Sequence, residues 1–302
     1  MRLLPATALL GALLSTGAGS SVPDGEPAPV IVSAAWLSRH LRDSALVVVQ
    51  SGGAAEYARG HIPGSVLLPS GGLEKSDMGE GGSMDMTALP GVEELQPVLQ
   101  RLGVSNGSHV IVVFATEDLP QATRVIALMR YAGVSRVSLL DGGLGDWRQN
   151  GLPLNADQPS VRPGHFSAPL DLATVVDYRY VQARERAPHV RLIDARAPVY
   201  YDGPVEQGSM AMRPGHIPGA RNIPYSSLFD GQLRMRPRQE IDEMFRQAGV
   251  LPGDTVVAYC HVGIQATVVI LAARLAGYPA RLYPGSFHDW SDRHLPTEGG
   301  SK

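Results

Sequence analysis

Short apolar runs alternate with amphipathic stretches along most of the chain. LVVV (46–49), VIVVF (110–114) and VSLL (137–140) read as buried strands, and VRLID (190–194), TVVAY (255–259) and ARLY (280–283) read the same way. Between these runs the period changes. EIDEMFRQAG (240–249) sets Ile241, Met244, Phe245 and Ala248 on one helical face and places Gly249 to end the helix. A second helix is expected from about Ile264 to Ala276. Strands alternating with helices predict an α/β fold on a parallel sheet with helices on both faces. Sites in such sheets lie at the carboxyl ends of the strands.

The pattern occurs twice. GHIPGSVLLP (60–69) returns as GHIPGARNIP (215–224), and LQRLGVSNGSHVIVVF (99–114) returns as FRQAGVLPGDTVVAYC (245–260). QATRVIALMRYAGV (121–134) matches QATVVILAARLAGY (265–278), and LLDGGLGDW (139–147) matches LYPGSFHDW (282–290). Four matches in the same order mark two copies of one domain. The boundaries are expected at 30–150 and 170–298. Residues 151–169, with four prolines and no apolar periodicity, suit an extended connector running over a surface.

Composition adds limits. The chain has 302 residues, 44% hydrophobic and 18% charged, enough for two globular domains. A net charge of −3 offers no basic face, so neither nucleic acid nor an anionic membrane is expected as a partner. Residues 1–20, MRLLPATALLGALLSTGAGS, read as a secretory signal: one basic residue, an apolar stretch, then small residues. Pro5, Ser15 and Gly17 interrupt that stretch, which falls short of the roughly 20 apolar residues a membrane span needs. The expectation is export, periplasmic or secreted, with no membrane attachment after cleavage.

Cys260 is the single cysteine, so no disulfide can form within the chain. It stands where the strand TVVAY stops and the next helix begins. The amides of residues 261 to 266 are expected to curl around its sulfur, and inward amides with the positive end of a helix favour thiolate over thiol. Gly263 lets the loop take a backbone angle that a side chain resists. The competing reading, a buried cysteine acting as a small hydrophobe, suits a cysteine inside VVAY or VVILAA better than one at the turn.

Two domain copies, each with GHIPG in its first third and a final Gly-x-x-x-x-Trp, the second with a DxR after its first strand and a strand ending in Cys-x-x-Gly, resemble the tandem rhodanese family. That family includes thiosulfate and 3-mercaptopyruvate sulfurtransferases, and the resemblance covers nearly all of the chain beyond residue 20. It implies a catalytic second domain whose Cys260 accepts a sulfane sulfur as a persulfide. It also implies an inactive first domain, which here has FATEDLP (114–120) in place of CHVGI and a loop two residues longer. Thiosulfate is the expected donor and cyanide or a thiol the acceptor, with no metal or organic cofactor. The alternatives are 3-mercaptopyruvate as donor, or a non-catalytic module that carries sulfur. Phosphatases with a Cys-x5-Arg loop are disfavoured because Ala266 holds the arginine's place.

The resemblance makes His261, Val262, Gly263, Ile264, Gln265 and Ala266 the substrate loop. Relatives that prefer thiosulfate place basic residues after the cysteine and those that prefer mercaptopyruvate place small or hydroxyl ones; His261 and Val262 fit neither. Tyr200 falls where the family commonly has a further arginine. Anion binding is then assigned to Arg196, Arg213 or His261, each with a second reading: Arg196 pairs with Asp194 to brace the loop, Arg213 is solvated, His261 faces water. Asp194, whose counterpart is Gln50, is a supporting residue. His61 and His216 occur in both GHIPG segments and read as turn-builders. Trp147 and Trp290 read as packing residues, and the segment 77–87 with Met78, Met84 and Met86 as a flexible insertion rather than a soft-metal site.

Overall fold

The computed structural model describes residues 28–75, 88–115, 118–203 and 213–299. The signal-like stretch 1–20 and the methionine-rich segment 77–87 lie outside the described residues. In the first copy the elements run β1 (Ile31–Val32), α1 (Ala34–His40), β2 (Leu46–Gly52), α2 (Ala54–Arg59), β3 (Val66–Pro69), α3 (Val92–Arg101), β4 (His109–Phe114), α4 (Leu119–Tyr131), β5 (Val137–Leu140) and α5 (Gly143–Gln149). The second runs α6 (Tyr178–Arg184), β6 (Val190–Asp194), α7 (Pro198–Tyr201), β7 (Arg221–Asn222), α8 (Arg238–Gln247), β8 (Thr255–Tyr259), α9 (Ala266–Ala276), β9 (Ala280–Leu282) and α10 (Ser286–Asp292).

Both sheets are parallel. The first has the order β1-β5-β4-β2-β3 and the second β7-β6-β8-β9. Where β1 pairs with β5, the second copy keeps a single parallel bridge, Val175 to Leu282. The order follows from right-handed crossovers that lay helices on both faces. The helix expected at 240–249 forms as α8, and Gly249, with φ +82°, stands just beyond its end, where a left-handed residue closes a helix.

The copies share one core. A continuous cluster joins Val110, Val112 and Ile126 of the first copy to Ile193, Val256 and Val268 of the second. The link is the contact between α4 and α9, and the first eight residues of α9, Ala266–Ala273, are all buried. A helix apolar all round belongs in an interior, not on a surface. Thr123 and Thr267, equivalent residues of the two QAT segments, meet Oγ1 to Oγ1 at 2.7 Å. Outside that contact an Arg234–Asp146 ion pair and a hydrogen bond from the Met235 amide to Asp141 Oδ1 at 2.8 Å also tie the copies together.

The repeat extends to side chains. Trp147 and Trp290 are fully buried, and their indole N–H groups donate to the carbonyls of Pro153 and Pro296 at 2.9 and 2.7 Å. His61 stacks on Tyr57 and His216 on Tyr201, each with centroids 3.8 Å apart. Each histidine Nδ1 also sits within 3.0 Å of the carbonyl of its tyrosine. Both histidines hold their GHIPG segments in place, as turn-builders do.

Candidate active site

Cys260 directly follows β8 at the carboxyl end of the sheet and is 1% exposed. Gly263, with φ +82°, turns the loop so that its N–H donates to Cys260 Sγ at 3.2 Å. A Cβ on Gly263 would stand 2.5 Å from the Pro284 carbonyl oxygen, so no side chain fits there. Among the described residues this is the one loop amide that reaches the sulfur, fewer than the six expected. Val262, Ile264 and Gln265 are half-buried, and Ala266 is buried as the first residue of α9.

The segment entering α10 clamps the loop from the opposite side. The amides of Phe287 and His288 donate to the carbonyls of Cys260 and His261, each at 3.0 Å. The Cys260 N–H itself donates to Ser286 Oγ at 3.1 Å, and that hydroxyl donates to the Tyr283 carbonyl at 2.9 Å. Ser286 is fully buried and has φ +54°, a left-handed conformation that side chains seldom adopt. Its counterpart in the first copy is Gly143, with φ +55°. There a Cβ would lie 2.5 Å from the Phe114 carbonyl oxygen and 2.8 Å from its ring. Phe114 occupies the place of Cys260: beside its ring and carbonyl the position is glycine, and beside the smaller cysteine it is a serine that accepts the cysteine's amide N–H.

Ser286 was not singled out from sequence, although GGLGDW against GSFHDW carries the signal. Ser286→Gly is expected to leave unfolding free energy within about 1 kcal/mol, because strain relief and the lost hydrogen bond are of similar size. Sulfur transfer is expected to slow about tenfold or more as the cysteine loses its fixed position. Urea unfolding beside a rate assay checks this, and an unchanged rate would refute it.

Asp194 ends β6 beside Tyr259 and is completely buried. It accepts the Arg196 backbone N–H at 2.9 Å and Nε at 3.0 Å, while Arg196 Nη2 also reaches the Gly215 carbonyl at 2.8 Å. The guanidinium carbon lies 4.0 Å from the centre of the Phe287 ring. Burial works to lower the Arg196 pKa, but the hydrogen bond and charge of Asp194 outweigh it and hold the guanidinium above its ordinary value. Arg196 therefore braces the loop. Arg213 is exposed, and its Nη1 donates to the Leu295 carbonyl at 2.6 Å.

His261 does not supply a cation. Burial, reinforced by the nearby Arg196 charge and only partly opposed by Asp194, lowers its pKa to about 4. Tyr200 meets its ring edge-on at 4.7 Å. Its Nδ1 and Gln265 Oε1 are buried without hydrogen-bond partners among the described residues, which leaves two polar atoms on the cysteine loop free for a ligand. A folded pKa below the unfolded value means the unfolded chain takes the proton more readily. The contribution of His261 to stability is therefore complete above about pH 6.5 and is lost as pH falls toward about 4. Its ring resonances are expected to titrate near pH 4 by NMR, and His261→Gln is expected to keep the wild-type shape of the rate profile between about pH 5 and 8.

The pattern of the rhodanese-like domain matches residues 33–150 and again 177–293. The chain belongs to the rhodanese family. Its tandem rhodanese repeat is 30% identical over 280 residues to the 3-mercaptopyruvate sulfurtransferase of Escherichia coli (strain K12), covering 88% of this chain and 97% of that one. The Homo sapiens protein of the same name is 30% identical over 283 residues, covering 89% and 94%. The thiosulfate sulfurtransferase of Azotobacter vinelandii is 28% identical over 265 residues, covering 87% and 94%. Among solved structures, the anaerobic ergothioneine biosynthesis enzyme from Chlorobium limicola superposes with a TM-score of 0.77 over 90% of this chain and 71% of that one. At 22% identity that likeness is one of fold.

Proposed function

We propose that this rhodanese-family protein is a sulfurtransferase that takes one sulfur atom onto Cys260 and hands it to a thiophilic acceptor. The observation that carries the reading is the Gly263 N–H pointed at Sγ within a loop locked by Ser286 and the Asp194–Arg196 pair. With thiosulfate, the Cys260 thiolate attacks the outer sulfur, the S–S bond breaks, and sulfite leaves with the electron pair. With cyanide as acceptor, carbon attacks the outer sulfur of the persulfide, Cys260 leaves as thiolate, and thiocyanate forms. The loop amide that meets Sγ stabilises negative charge there, much as an oxyanion hole does for oxygen.

A second donor is favoured by the relatives at 30% identity that carry the name 3-mercaptopyruvate sulfurtransferase. In that reaction the C–S bond of the donor breaks and pyruvate leaves after gaining a proton. Intact-mass measurement after incubation with each donor is expected to show one added sulfur atom, and cyanide to remove it as thiocyanate. No added sulfur with either donor would overturn the proposal. Export completes the reading, supported by the pattern of residues 1–20, and a mature N-terminus near residue 20 in an exported fraction would test it.

A further inference from the structure

A cavity of about 330 Å³ lies between the two copies, lined by α4, α9 and the adjoining edges of β5 and β9. No residue of the 260–265 loop lines it; its nearest approach along the chain is Thr267, in the first turn of α9. The walls are largely apolar, with Ile126, Leu128, Ile270, Leu271 and Leu282 facing inward, and the volume is in the range of small-molecule sites. The lining follows the repeat. Thr123 meets Thr267, Ile126 matches Ile270, and two turns beyond the threonines Arg130 matches Arg274.

The two arginines are out of keeping with such walls. Nε of Arg130 is buried with no hydrogen-bond partner among the described residues, and neither guanidinium forms an ion pair there. Burial lowers the pKa of both; the charge of Arg130 adds to the effect on Arg274, which falls to about 10. Asp171 is the one carboxylate whose charge bears on both, and it is exposed, its Oδ1 accepting the Ala173 N–H at 3.1 Å. Two half-buried cations that line one largely apolar cavity, with the charge of Arg130 acting on Arg274, are costly unless an anion joins them.

We propose that this cavity binds a small amphiphilic anion, an apolar body ending in a carboxylate whose charge Arg130 and Arg274 share. The apolar body fills the space between the isoleucines, and the carboxylate takes hydrogen bonds from both guanidiniums. The site is separate from Cys260 and needs no chemistry there. Titration calorimetry and thermal unfolding of the whole protein with octanoate as probe test it. Octanoate is expected to bind and raise Tm, with octanol and inorganic sulfate each binding about tenfold or more weakly. Cys260→Ser is expected to bind octanoate as the wild type does. The Arg130→Met/Arg274→Met double variant is expected to fold, to gain Tm without ligand as the repulsion goes, and to lose octanoate affinity about tenfold or more. Failure of octanoate to bind, equal binding by the double variant, or an equal effect of octanol would each overturn the proposal.

Discussion

Cys260→Ser is expected to abolish both sulfur loading and turnover, with a fall in rate of about 10⁴-fold or more, as removal of a nucleophile does. The magnitude follows from the chemistry. A hydroxyl is far less ionised than a thiol at neutral pH, and an oxygen in place of sulfur forms no persulfide. The chain holds no other cysteine to substitute for it. The fold is expected to survive, because serine can accept the Gly263 N–H that Sγ accepts now and occupies almost the same volume. Intact mass with donor, thiocyanate release and urea unfolding, measured together, separate lost chemistry from lost structure. Retained turnover in a folded Cys260→Ser protein would remove Cys260 from the mechanism.

The largest effect on stability is expected at Arg196. Arg196→Met leaves Asp194, fully buried, without the guanidinium that neutralises it, and the cost of a broken buried pair is about 3–5 kcal/mol. Part of the loss is local, since Arg196 also ties the Gly215 carbonyl and covers the Phe287 ring beside the cysteine loop. The double variant Asp194→Asn/Arg196→Met is expected to lose less than Arg196→Met alone, because no buried charge is then left unpaired. Urea unfolding of the three proteins completes the comparison. A loss under about 1 kcal/mol for Arg196→Met would show the pair to be screened by solvent, contrary to its burial.

The amino-acid pattern revealed the central strands well and the edges poorly. VSLL, VRLID and TVVAY coincide with β5, β6 and β8, because strands covered on both faces are continuous apolar runs. β1, β3 and β7 are two to four residues long, too short to carry a period, and they went unread. Cys260 was legible because the other copy supplies a control, Phe114, in the same frame. What surrounds it was less so. That Arg196 is committed to Asp194 depends on how a strand end and a loop fold back together, and the near-neutral His261 depends on burial and a neighbouring charge. Ser286 depends on a positive φ that only the parallel with Gly143 could have suggested. Arg130 and Arg274 carry no signal in sequence, and only the packing of α4 on α9 brings both to the wall of one cavity.

That packing bears on why the copy without a cysteine persists. A half-molecule cut at the connector would open to water the face of α9 that packs against α4, along the very helix that leads out of the Cys260 loop. The duplicated halves thus bury one another, and the copy without a cysteine shields from water one side of the helix that follows Cys260.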